Sequence, residues 1–111
     1  MNLIKISSLE NKYSDIKENI LNGRWITLSD IEPLIKETKS FLKTTILGKS
    51  EKNKSIYKLQ FGSGTKKILI WSQMHGNEST GTKAIFDFLN YIDKNNEDTI
   101  VQAILNNCTI I

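Results

Sequence analysis

The chain has 111 residues, 39% of them apolar and 24% charged, which suits one small globular domain and excludes a low-complexity linker. Fifteen Lys and Arg against twelve Asp and Glu leave a net charge of +3. The lysines are scattered among acids, with only Lys66 and Lys67 adjacent, so no basic stripe is present to follow a phosphate backbone and a nucleic-acid partner is not expected.

In chain order, the N-terminal apolar stretch is too short for a secretory signal, and no later run reaches the length of a membrane span. The expectation is therefore a cytoplasmic chain with no membrane partner. Leu9, Tyr13, Ile16 and Ile20 recur at three- and four-residue spacing and predict an amphipathic helix over residues 9–21, ended by Asn22 and Gly23. Ser29-Asp30-Ile31-Glu32 has the form of a capping box opening a second helix, with Pro33 in its first turn, where a missing N–H is harmless. Ile31, Leu34, Ile35, Thr38 and Leu42 form its apolar face.

After residue 43 the period becomes strand-like. Residues 44–47 and 55–61 predict two strands separated by a polar turn, and their pattern suits an antiparallel pair. Gly62-Ser63-Gly64-Thr65 is a tight connection to a third strand over residues 67–72. Its four consecutive apolar residues, Ile68 to Trp71, leave no solvent face and predict an interior strand covered on both sides, with Trp71 in the core. Ala84, Ile85, Phe88, Leu89 and Ile92 then mark a helix over 79–93, with Phe88 also assigned to the core. Asp98 can cap a further helix whose face is Val101, Ile104 and Leu105, and residues 108–111 open another strand. Strand, two helices, strand is a crossover between parallel strands. Ending within such a strand, the chain reads as the N-terminal part of a longer protein.

The residues that carry chemistry are His75-Gly76-Asn77-Glu78, at the exit of the third strand. Open α/β sheets place their ligands at the carboxyl ends of strands. A turn there can aim residues three apart at one point, so an imidazole and a carboxylate could share a zinc ion, with Gly76 easing the backbone. The H-E-x-x-H and H-x-x-E-H arrangements are absent: position 79 is Ser79, and His75 is the one histidine. The alternative is an ordinary turn with Glu78 capping the next helix. Cys108, the single cysteine, excludes an internal disulfide, a Cys-based zinc knuckle and a CxxC redox site, and it reads as a small apolar strand residue. Ser72 and Ser79 lack a local base for nucleophilic work.

Residues 48–88 resemble the opening of the zinc carboxypeptidase (carboxypeptidase A-like) family. The resemblance rests on Gly48-Lys49-Ser50, the strand Ser55-Ile56-Tyr57-Lys58-Leu59, the apolar strand from Lys67 to Met74, His75-Gly76-Asn77-Glu78, and the helix holding Ala84 and Leu89. It implies an α/β fold, the N-terminal part of a mixed α/β/α sheet of the phosphorylase/hydrolase-like, zinc carboxypeptidase type. Residues 1–43 would be a helical extension and 44–111 a truncated part of the catalytic domain. It further implies a zinc hydrolase of C-terminal peptide bonds whose substrate is a peptide C-terminus. His75 and Glu78 would be the first two zinc ligands. The third, a histidine, and the general-base glutamate would lie beyond residue 111, leaving this chain inactive alone. Digestive members of the family carry Arg where this chain has Asn77, which keeps a second reading open, a zinc-dependent deacylase of small acyl-amino acids. A third is a non-catalytic binding domain with a structural His75.

Overall fold

In the computed structural model, which describes residues 6–37 and 39–111, the first helix, α1 (Ile6–Ile16), stops at Ile16 and not at the predicted residue 21. The cause is tertiary. Its last carbonyls are taken by side chains of a later helix: the Asn90 amide donates to the Ile16 carbonyl at 3.1 Å and the Lys94 ammonium to that of Asp15. Asp87 of the same helix accepts the Glu18 amide at 2.7 Å and the Tyr13 hydroxyl at 3.3 Å. With its C-terminal acceptors already satisfied, the helix has no reason to continue. Ile20, assigned to the apolar face, is exposed, as is Tyr13, while Leu21 turns inward.

The second helix, α2 (Leu28–Lys36), also begins earlier than its sequence suggests. Its cap is Thr27, not Ser29. The Thr27 amide and hydroxyl both donate to the Asp30 carboxylate at 2.7 Å, so Asp30 plays the part expected of Glu32. Pro33 consequently lies inside the helix and not in its first turn. Leu34 and Ile35 are buried and Leu42 packs against the core; Thr38, counted on the same face, and residues 1–5 lie outside the described residues.

Strands β1 (Lys43–Lys49) and β2 (Ser55–Gln60) form the expected antiparallel hairpin, with Ile46 opposite Tyr57 and Gly48 opposite Ile56. The register shift between those pairs leaves Leu47 as a bulge pointing to solvent. Strand β3 (Lys66–Ile68) pairs in parallel with β4 (Cys108–Ile110), as the crossover predicts. The two sheets meet at one bridge, where Phe61 and Ile110 exchange backbone bonds of 3.0 and 2.9 Å. In the chain, β3 and β4 are separated by α3 (Thr80–Lys94) and α4 (Thr99–Asn107), the latter capped by Asp98, whose carboxylate accepts the Ile100 amide at 2.8 Å. Helices and short sheets together make a mixed α/β chain. Among the described residues no helix is long and apolar enough to cross a membrane.

The core gathers Ile16, Leu21, Ile26, Leu34 and Ile35 with Phe86, Leu89, Ile92 and Val101, the last two fully buried. Phe61 is also buried, edge-on to Phe41 at 5.6 Å and tilted against Phe88 at 6.0 Å. On α3 the buried face is Thr82, Phe86, Leu89, Tyr91 and Ile92, while Ala84 is exposed; the periodicity is right but the stripe is rotated from the one expected.

One prediction fails clearly. Ile68, Leu69, Ile70 and Trp71 are all exposed, Trp71 by 63%, and regular strand ends at Ile68. Four apolar residues in a row are necessary for a doubly covered strand but not sufficient, because burial needs layers on both faces. Here β3 hydrogen-bonds one neighbour, and Leu69, Ile70 and Trp71 line an open apolar groove of about 430 Å³ shared with Ile35, Tyr57 and Phe88.

Two carboxyls, exposed Asp30 and half-buried Glu32, make directed bonds around α2. Thr27 holds the Asp30 carboxyl below its ordinary value, chiefly through its backbone amide. The Tyr57 hydroxyl, 2.5 Å away, does the same for Glu32, reinforced by the charge of Lys36. Such a depressed carboxyl contributes stability above its unfolded pKa and loses it as pH falls through the folded value. The melting temperature is therefore expected to drop from about pH 5 downward. Replacing Tyr57 by Phe should flatten that slope; an unchanged slope in thermal melts would show that the Glu32 contact contributes nothing.

Candidate metal centre

The backbone that leads to the His75 turn is held at Ile70 by its main chain and at Ser72 and Gln73 by their side chains. The Ile70 amide still donates to the Ile111 carbonyl at 2.7 Å, extending the β3–β4 register past the regular strand. Gln73 then adopts φ +56°, a left-handed conformation that costs a residue with a side chain roughly 1–2 kcal/mol. Residues 75–78 close a turn through the Glu78 amide, which donates to the His75 carbonyl at 3.0 Å. Buried Ser79 leads directly into α3.

Within this turn the two side chains singled out by the sequence come together. His75 Nδ1 lies 3.3 Å from Glu78 Oε2, and both side chains are about 70% open to solvent (73% and 69%). The Glu78 carboxylate thus faces the imidazole and does not cap an amide of α3. A tetrahedral zinc with bonds of about 2.0–2.2 Å sets neighbouring donor atoms about 3.4 Å apart, so the pair fits two corners of such an ion. Alone it is also an ordinary hydrogen-bonded contact of an imidazole with a carboxylate. Among the described residues no group of three or more His, Cys, Asp or Glu could hold a metal, so a third protein ligand is not at hand here.

Gly76 does less than its position suggests. A side chain there would meet nothing within 4 Å, and the left-handed residue is Gln73, two places before the histidine. Two further residues around the turn were invisible in the sequence. Arg24 sends its Nε to the Asn77 carbonyl at 3.3 Å while its guanidinium sits 5.7 Å from the Trp25 ring. Gln73 donates from its side-chain amide to the Gly76 carbonyl at 2.9 Å. Neither belongs to a local pattern: Arg24 is fifty-three residues from its partner, and a glutamine two residues before a histidine has no periodicity to mark it.

The apolar groove reaches Ser72 and Thr82 but not His75 or Glu78, so pocket and polar pair adjoin without coinciding. Ser72 bonds the Thr82 hydroxyl at 2.8 Å, and Cys108 is a half-buried free thiol in β4, so neither is set beside a base.

The zinc carboxypeptidase family model matches residues 27–111, a span that takes in α2, both sheets and the whole His75 turn. Comparison with curated proteins gives no match, and neither does comparison with solved structures. Since the match covers well over half of the sequence, the chain belongs to the zinc carboxypeptidase family.

Proposed function

We propose that His75 and Glu78 supply two of three protein ligands to a catalytic zinc in a hydrolase that removes C-terminal residues from peptides. The observation that carries this reading is the 3.3 Å approach of His75 Nδ1 to Glu78 Oε2, in the turn between the β3 segment and α3 and inside the family match. When bound, zinc would polarise the scissile carbonyl and the attacking water. The chain's own contribution is to present a nitrogen and an oxygen donor 3.3 Å apart, in the turn that leads from the β3–β4 ladder to α3. The carboxypeptidase-type mixed sheet belongs to the same proposal: β3 and β4 would be neighbouring parallel strands within it.

With one histidine in its sequence, the chain offers an incomplete ligand set, and it is expected to hydrolyse no peptide by itself. Zinc affinity is the direct test. Calorimetric titration of the chain with Zn²⁺ should show one weak site that is lost in His75→Ala and weakened in Glu78→Gln. Undiminished binding in His75→Ala would sink the assignment. Asn77 favours a second reading, deacylation of small acyl-amino acids: it stands where digestive relatives carry arginine, and only its backbone carbonyl is bonded by Arg24. Assay of a protein with the full ligand set on acyl-amino acids and on peptides separates the two.

A further inference from the structure

The side chain of Gln73 makes three directed hydrogen bonds to three different parts of the chain. Its Nε2 donates to the Ile26 carbonyl at 2.6 Å and to the Gly76 carbonyl at 2.9 Å. Its Oε1 accepts the Thr82 hydroxyl at 2.8 Å, and the Thr82 oxygen is in turn 2.8 Å from Ser72 Oγ. These partners leave one amide orientation. A flipped amide would aim its oxygen at two carbonyls, and both would then lack a donor. The hydroxyls follow: Thr82 donates to Gln73, so Ser72 must donate to Thr82. Ile26 and Thr82 are themselves buried, at 6% exposure each, so two of the three anchors are fixed points and not mobile surface.

The third partner, Gly76, lies between His75 and Glu78. Residues 72–73 also sit close on the first turn of α3, where a side chain at Gly81 would come within 3.3 Å of the Ser72 Cβ. Gln73 therefore clamps the turn that carries the imidazole and the carboxylate onto α3 on one side and onto the segment before α2 on the other. The three bonds offset the cost of a left-handed backbone, a conformation better suited to glycine, at a residue bearing a side chain.

We infer that Gln73, supported by Thr82, is a positioning residue that holds His75 and Glu78 at ligand separation before any metal arrives. This rests on the metal reading above for its purpose, but the clamp can be tested apart from it. Gln73→Gly keeps the backbone conformation without strain and removes all three bonds. Thr82→Val keeps the volume and removes only the hydroxyl. Two measurements decide. Backbone ¹⁵N order parameters for residues 74–78 should fall from about 0.85 in the parent chain to below about 0.6 in Gln73→Gly. Zn²⁺ titrated alone should bind both variants about tenfold more weakly than the parent. Unchanged order and unchanged affinity would overturn the inference. Unchanged order with weakened affinity would overturn it too, because the defect would then not lie in the turn. Should the parent bind no Zn²⁺, the metal reading falls, and the order parameters still decide whether Gln73 is the clamp.

Discussion

Replacing Gly64 by alanine is expected to destabilise the chain by about 3 kcal/mol, near the upper end of what forced overpacking costs. The loop from Gly62 to Thr65 lies directly on the junction between α4 and β4. The Ser63 amide donates to the Leu105 carbonyl at 2.8 Å and the Gly64 amide to the Cys108 carbonyl at 3.1 Å. The Gly64 carbonyl accepts the hydroxyl of buried Thr109 at 2.7 Å. These bonds satisfy the end of α4 and bring the two backbones so near that a Cβ on Gly64 would overlap the Asn107 carbonyl group. Backbone cannot swing aside as a side-chain tip can. A Cβ on Gly62 meets the same obstacle at the Cys108 carbonyl, and its φ of +77° adds strain. Gly48 provides the comparison, since a Cβ there meets nothing within 4 Å. Urea denaturation of Gly64→Ala and Gly48→Ala should give widely separated midpoints; coincident midpoints would refute the close approach.

Truncating Ile92 to alanine should cost about 2–5 kcal/mol, a large share of the roughly 5–15 kcal/mol that holds a domain folded. Ile92 has no exposed surface, so its missing atoms leave a cavity that the rest of α3 cannot fill. The instructive partner is Trp71→Ala. Trp71 is the larger side chain and stands in the most apolar run of the sequence, yet at 63% exposure its loss should change stability by no more than about 0.5 kcal/mol. Equal losses at the two positions, in paired denaturation curves, would mean that the run from Ile68 to Trp71 is covered after all.

Tryptophan in that run also shows where reading residues alone goes astray. Apolar content says what a segment would gain from burial, not whether a second surface exists to cover it. The helices tell a similar story. Their periodicity is local, so α3 and α4 are legible within a residue or two, and Asp98 caps where its chemistry says it should. Their ends are not local. α1 closes where Asn90 and Lys94, more than seventy residues away, take its carbonyls. Thr27 outcompetes Ser29 as a cap because Asp30, a residue nearer than Glu32, accepts both its donors, while Glu32 is drawn to Tyr57 of β2.

The polar pair at residues 75 and 78 was visible because three-residue spacing is a short-range geometry, settled by one turn. Its support was not. Gln73 reaches Ile26 across forty-seven residues and Arg24 reaches Asn77 across fifty-three, separations at which no spacing pattern survives. The order of elements, the hairpin, the parallel crossover and the candidate ligands could be read from the residues, because all follow from near-neighbour periodicity and turn chemistry. Tertiary structure alone decided which apolar faces are covered, where the first two helices begin and end, and what holds the turn. Those outcomes depend on which distant groups compete for the same donors, acceptors and surface.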